Sequence, residues 1–177
     1  MVIRRTLFSA VVVMAACSPE AEFAAPESLD HEVWVKVDRR VENELMRRAA
    51  STLAELGLTR SFAAAYEFLP NKPQIFAGAG RGASDRQAVM DAVLPLFGGD
   101  LGPTEAPQEV RNAGLSLLCA PYSHTGVPGT IGTGGLASIS AICTWSEAEA
   151  TGFVVGVAGP SVDDVAHLTT EFHTAVT

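Results

Sequence analysis

The sequence predicts an α+β domain, an antiparallel sheet with helices packed on it. Three observations carry this. Apolar residues recur at helical spacing over about 39–56, 84–97 and 161–176. The apolar runs between them are short, and turn residues separate them. The order strand, turn, strand, glycine turn, capped helix occurs twice, at 66–97 and at 142–176. Strands grouped in hairpins, with the helices laid on one side of them, satisfy all three.

The first element is the stretch 31–38, HEVWVKVD. Val33, Val35 and Val37 fall on one side and Trp34 and Lys36 on the other, the period of a half-buried strand. A helix begun near Leu29 would swallow this segment, but β-branched residues at alternate positions oppose it. Over 39–56 the residues Val41, Leu45, Met46, Ala49, Thr52, Leu53 and Leu56 repeat at three and four. Gly57 follows where a left-handed residue closes a helix.

Residues 63–83 hold two apolar runs around Pro70, Asn71, Lys72 and Pro73, which reads as a hairpin. In the next helix, 84–97, Ser84 and Gln87 stand in capping-box relation, and Val89, Ala92, Val93, Leu96 and Phe97 form the inward stripe. A loop at 101–107 leads to a third strand region at 108–119. The run 126–135 holds Gly126, Pro128, Gly129, Gly132, Gly134 and Gly135 and reads as loop. Strands at 136–145 and 152–158 and a last helix at 161–176 complete the chain. In that helix Ser161 and Asp164 form the cap, and Val165, Leu168, Phe172 and Ala175 point inward. The doubled element order suggests an internal strand–strand–helix pseudo-repeat. Two unrelated hairpin–helix units would give the same order.

The first 16 residues have the layout of a secretory signal: Arg4 and Arg5, an apolar run from Leu7, then small residues up to Cys17. The run is too short to span a bilayer core of roughly 30 Å. Met14, Ala15 and Ala16 before Cys17 resemble the lipobox of bacterial lipoproteins, with Met14 where Leu is usual. That resemblance implies lipid on Cys17 and a location on the outer face of the cell membrane. Ordinary signal cleavage, leaving Cys17 a free thiol, is the alternative. Residues 17–28, rich in Pro, Ala, Ser and Glu, read as a flexible tether whose loss should leave stability unchanged. The single α+β domain is expected over 29–177.

The chain carries 12 cations and 20 acids. Removing residues 1–16 takes Arg4 and Arg5 and no acid, so the mature chain is more acidic still. No Lys or Arg follows Arg111, which makes nucleic acid a poor partner. Lys36, Arg39, Arg40, Arg47 and Arg48 could face anionic lipid, but Glu42 and Glu44 among them favour a solvated helix face with Arg40, Glu44 and Arg48 paired.

Cys119 and Cys143 end two strand regions of an exported domain, so a disulfide is the natural reading. A nucleophilic cysteine served by His124 would need a thiolate that an oxidising compartment removes. Gly78, Gly80 and Ala83 match a GxGxxA turn, but the acid-ended parallel strand of a dinucleotide fold does not follow. A tight turn is the simpler account. His167 and His173 are six apart on one helix and do not share a face. No metal-ligating set, cofactor motif or compelling acid–base pair of carboxylates is found, so catalytic, cofactor and metal residues are all expected to be none.

Residues 119–176 resemble a family of uncharacterised actinobacterial extracytoplasmic membrane and lipoproteins with a C…CxWxD…TxG pattern. The matching residues are Cys143, Trp145, Glu147, Thr151 and Gly152, with Glu147 in place of the usual Asp. The last helix lacks the arginine that the family tends to carry. The resemblance implies an extracytoplasmic domain with a Cys119–Cys143 bridge and brings no activity. Trp145 either marks a binding surface or packs over the disulfide. The function expected is a binding or interaction module of the cell envelope, held to the membrane through lipid on Cys17 and meeting an envelope protein. The alternative is a hydrolytic or ligand-processing envelope enzyme without a recognisable motif.

Overall fold

The computed structural model describes residues 23–31, 33–37, 40–68, 74–97, 103–122, 139–157 and 159–177. Cys17, His124 and the glycine run from Gly126 to Gly135 lie outside these residues. The architecture is α+β: one eight-stranded antiparallel sheet with three helices against it. In chain order the elements are β1 (Ser28–Leu29), β2 (Trp34–Val37), α1 (Arg40–Glu55), β3 (Thr59–Phe68), β4 (Gln74–Arg81), α2 (Arg86–Val93), β5 (Gln108–Asn112), β6 (Leu115–Pro121), β7 (Ile139–Ser146), β8 (Ala150–Val157) and α3 (Val162–Val176). Across the sheet the order is β1-β2-β3-β4-β8-β7-β6-β5. The central strands β4 and β8 are buried on both faces, and their glycine, alanine and valine side chains are small enough to let both layers come close.

The helices occupy both faces, not one. α3 covers Ile75, Ala77, Cys119, Cys143, Trp145 and Val154, while α1 and α2 cover Phe76, Ile142, Phe153 and Val155. The alternation along β4, β7 and β8 serves two separate cores, so the strands read as continuous apolar runs. This also corrects the pseudo-repeat. β3–β4–α2 and β7–β8–α3 share an order, and β4 pairs antiparallel with β8. A twofold axis between those strands would keep both helices on one face, yet α2 and α3 lie on opposite faces. The repeat is one of element order alone.

Local rules account for most boundaries. α1 ends where expected: Gly57 takes φ +85°, its N–H donates to the Ala54 carbonyl, and the Leu58 N–H donates to that of Leu53. On its surface Glu44 pairs with Arg47 at 2.7 Å. α2 is capped by Asp85, whose carboxylate accepts from the Ala88 N–H at 2.8 Å, and not by Ser84. The Ser84 N–H is instead drawn to Thr151 Oγ1 at 3.1 Å. The periodic stripe expected to continue to Phe97 tightens into a 3₁₀ turn, Leu94–Phe97, which contains Pro95. The third strand region is a hairpin of two strands, β5 and β6, turned by Ala113 and Gly114 at φ +47° and +90°. α3 carries the expected capping box of Ser161 and Asp164.

Contacts with the sheet also occur before residue 29. Phe23 lies edge-to-face on Phe62 at 5.2 Å, with the Arg81 guanidinium 4.8 Å above its ring. The Tyr66 hydroxyl donates to the Pro26 carbonyl at 2.9 Å, and Lys36 pairs with Glu27. Residues 23–28 therefore lie against the sheet. Composition hid this, because one phenylalanine carries most of the contact.

Candidate functional site

The side chains that could meet a ligand gather at one end of the sheet, on the α3 face. There the β1–β2 turn places Asp30 and His31 consecutively in left-handed conformations, φ +49° and +52°, and the Val33 N–H closes onto the Asp30 carbonyl at 3.0 Å. Asp and His tolerate that region better than most residues. The turn leads into Trp34, the residue of β2 that goes inward, while Val33 and Val35 remain at the surface. Trp34 packs edge-to-face on Phe68 at 5.5 Å, its partner across β2 and β3.

The opposite wall is the start of α3. Gly159 and Pro160 turn the chain out of β8 into the Ser161 cap, and one helical turn further on His167 and Leu168 face the same space. The result is a half-open groove of about 440 Å³. Trp34, Phe68, Pro160 and Leu168 line it, and Asp30, Asp164 and His167 stand in its polar rim.

The rim groups are mostly committed to structure. The Asp164 carboxylate accepts from the Ser161 hydroxyl at 2.7 Å and from the Ser161 N–H at 2.8 Å. These bonds hold its carboxyl below the ordinary range, with His167 adding a smaller charge contribution in the same direction. The Ser161 hydroxyl is thus committed to the cap of α3. His167 Nε2 stands 3.8 Å from Asp30 Oδ1, an exposed and loose ion-pair contact. Among the described residues no group of three or more His, Cys, Asp or Glu could hold a metal ion.

Cys119 and Cys143 face each other across β6 and β7 and form a disulfide beneath α3, each essentially inaccessible. Gly78 and Gly80 lie inside β4, so the GxGxxA match is not a phosphate turn. A Cβ on Gly78 would meet the Phe153 ring at 2.7 Å, and one on Gly80 would meet Leu58 and Ser61 at 2.6 Å. Packing fills the space that a dinucleotide would need.

The motif residues near the C-terminus divide into structural tasks. Trp145 is fully buried against Phe172 and His173 and is not a surface. The Glu147 carboxylate meets His173 Nε2 at 3.0 Å, so His173 and His167 serve opposite ends of α3. Thr151 Oγ1 donates to the Gly82 carbonyl at 2.8 Å and fixes the loop after β4.

Of the groove residues, the sequence analysis singled out Trp34, Asp164, His167 and Leu168, none of them as part of one site. Asp30, Phe68 and His167 come from three segments far apart in the chain, and nothing local links them. No family model, curated protein or solved structure matches this chain.

Proposed function

We propose that this protein is a lipid-anchored binding module of the cell envelope, held through Cys17, that recognises a partner protein with the groove between the β1–β2 turn and α3. The observation that carries the reading is the make-up of that groove. An apolar lining of Trp34, Phe68, Pro160 and Leu168 sits under a polar rim, the usual composition of a recognition site, and the Asp164 carboxylate of that rim is tied up in the cap of α3. The signal-like start, the lipobox-like residues before Cys17 and the likeness of residues 119–176 to extracytoplasmic lipoproteins support an envelope location.

The test is affinity capture from detergent-solubilised envelope with the wild-type chain and with Phe68→Ser and His167→Ala variants. His167 is half exposed, so its replacement leaves the fold intact. A species retained by wild type and lost from both variants, at unchanged melting temperature for His167→Ala, supports the reading. Equal retention by all three chains overturns it.

A further inference from the structure

We propose that the domain sits on the bilayer with the Phe23 end of its sheet toward the lipid head groups, so that the groove points away from the membrane. This rests on the reading of Cys17 as the lipid-bearing residue. It follows from where the docked N-terminal segment begins and how little chain precedes it.

The segment is fixed at three levels along one edge. Phe23 is held between Phe62 and Arg81, Pro26 is held by Tyr66, and Ser28 and Leu29 pair with Val35 and Trp34. The chain thus runs down the sheet from Phe62 toward Phe68. Burial drives the Tyr66 phenol well above its ordinary pKa, so it remains a hydrogen-bond donor over any physiological pH.

Six peptide steps separate Cys17 from Phe23, which reach at most about 20 Å when fully extended. A domain of this size has a radius of gyration of roughly 15 Å and is therefore nearly 40 Å across. The leash is about half the diameter. A lipid on Cys17 reaches the bilayer directly from the Phe23 end, whereas with the groove end facing the membrane the whole leash would have to run back along the sheet fully extended.

The register identifies what lies at each end. Thr59 pairs with Arg81 and Arg81 with Ala150, so the start of β3, the end of β4 and the β7–β8 turn share the Phe23 end. Phe68, at the other end of β3, lies on the groove, six residues and roughly 20 Å beyond Phe62, where Phe23 docks.

The experiment uses the full chain, purified from membranes and reconstituted in phosphatidylethanolamine–phosphatidylglycerol vesicles that contain a head-group nitroxide lipid. A fluorescent amino acid is placed at Arg60 in one preparation and at His167 in another, both exposed positions. Quenching at position 60 is expected to exceed that at 167 several-fold. A 20-residue Gly-Ser insertion after Ser18 should remove the difference, because a flexible chain of that length spans roughly 25 Å on average in addition to the native leash. Intact mass is measured on the same samples. An acylated chain with equal quenching at both positions, or with no response to the insertion, overturns the orientation alone. A chain without acyl mass that stays out of the vesicles overturns the anchoring reading, and the orientation with it.

Discussion

Trp145 lies across Gly152, its partner in the β7–β8 register, and a Cβ at position 152 would stand 2.2 Å from the indole Cη2. The same Cβ would stand 2.4 Å from the Gly78 carbonyl oxygen, so neither neighbour can yield cheaply. The indole is in turn wedged against Phe172 and His173 of α3.

Gly152→Ala should therefore destabilise the domain by about 3 kcal/mol, the upper range for overpacking a close-packed core. Chemical denaturation checks it. A change below about 0.5 kcal/mol, the scatter expected for neutral surface substitutions, would show that the indole has room to shift.

Cys119 and Cys143 join adjacent strands under α3, at a sequence separation of 24. A closed loop of that length removes unfolded-state entropy corresponding to about 3 kcal/mol. The Cys119→Ala, Cys143→Ala double variant should melt roughly 10 °C below wild type. Peptide mapping without reductant should recover one crosslinked species from the wild-type chain.

Phe23, Pro26 and Glu27 make contacts that the composition of the segment did not announce. A chain starting at Ser28 should lose roughly 2 kcal/mol against one starting at Ser18, from the Phe23 burial and the Tyr66 hydrogen bond. Phe23→Ala should reproduce about half of the loss. Coincident melts of the two truncated chains would mean that the segment does not dock in solution.

Asp164 links stability to pH through the cap of α3. Its carboxyl is depressed in the fold, so the stabilisation is complete above its unfolded pKa of about 3.9 and is lost as pH falls through the lower folded value. The cap is exposed, so its worth is at the low end, about 0.5–1 kcal/mol. Asp164→Ala should melt below wild type at pH 7, and the gap should close as pH falls below the ordinary carboxyl range and through the lowered folded value. A gap independent of pH would show that the carboxylate charge plays no part.

Where one local rule sufficed, the sequence was a reliable guide. The Gly57 closure, the Ser161–Asp164 cap and the pairing of β3 with β4 are each decided within a few residues. The α+β class followed from these. Four features escaped, three of them because non-local contacts decide them. The two-sided burial of β4 and β8 depends on helices from both halves of the chain, and it alone places α3 opposite α2. The β5–β6 hairpin turns on Ala113, a residue without turn character, with only Gly114 as a signal. The groove joins Asp30, Phe68 and His167, brought together by the β2–β3 register and the start of α3. The docking of Phe23 depends on Arg81 and Phe62, more than 35 positions away.

The groove's role is tested most directly by crosslinking in intact cells, with a photoreactive amino acid at His167 and, for comparison, at Arg111 on the β5–β6 hairpin. The account predicts a discrete protein adduct from position 167, absent at 111 and lost when Phe68→Ser is added. The same adducts from both positions, or none from 167 in a chain that is folded and membrane-bound, would contradict it.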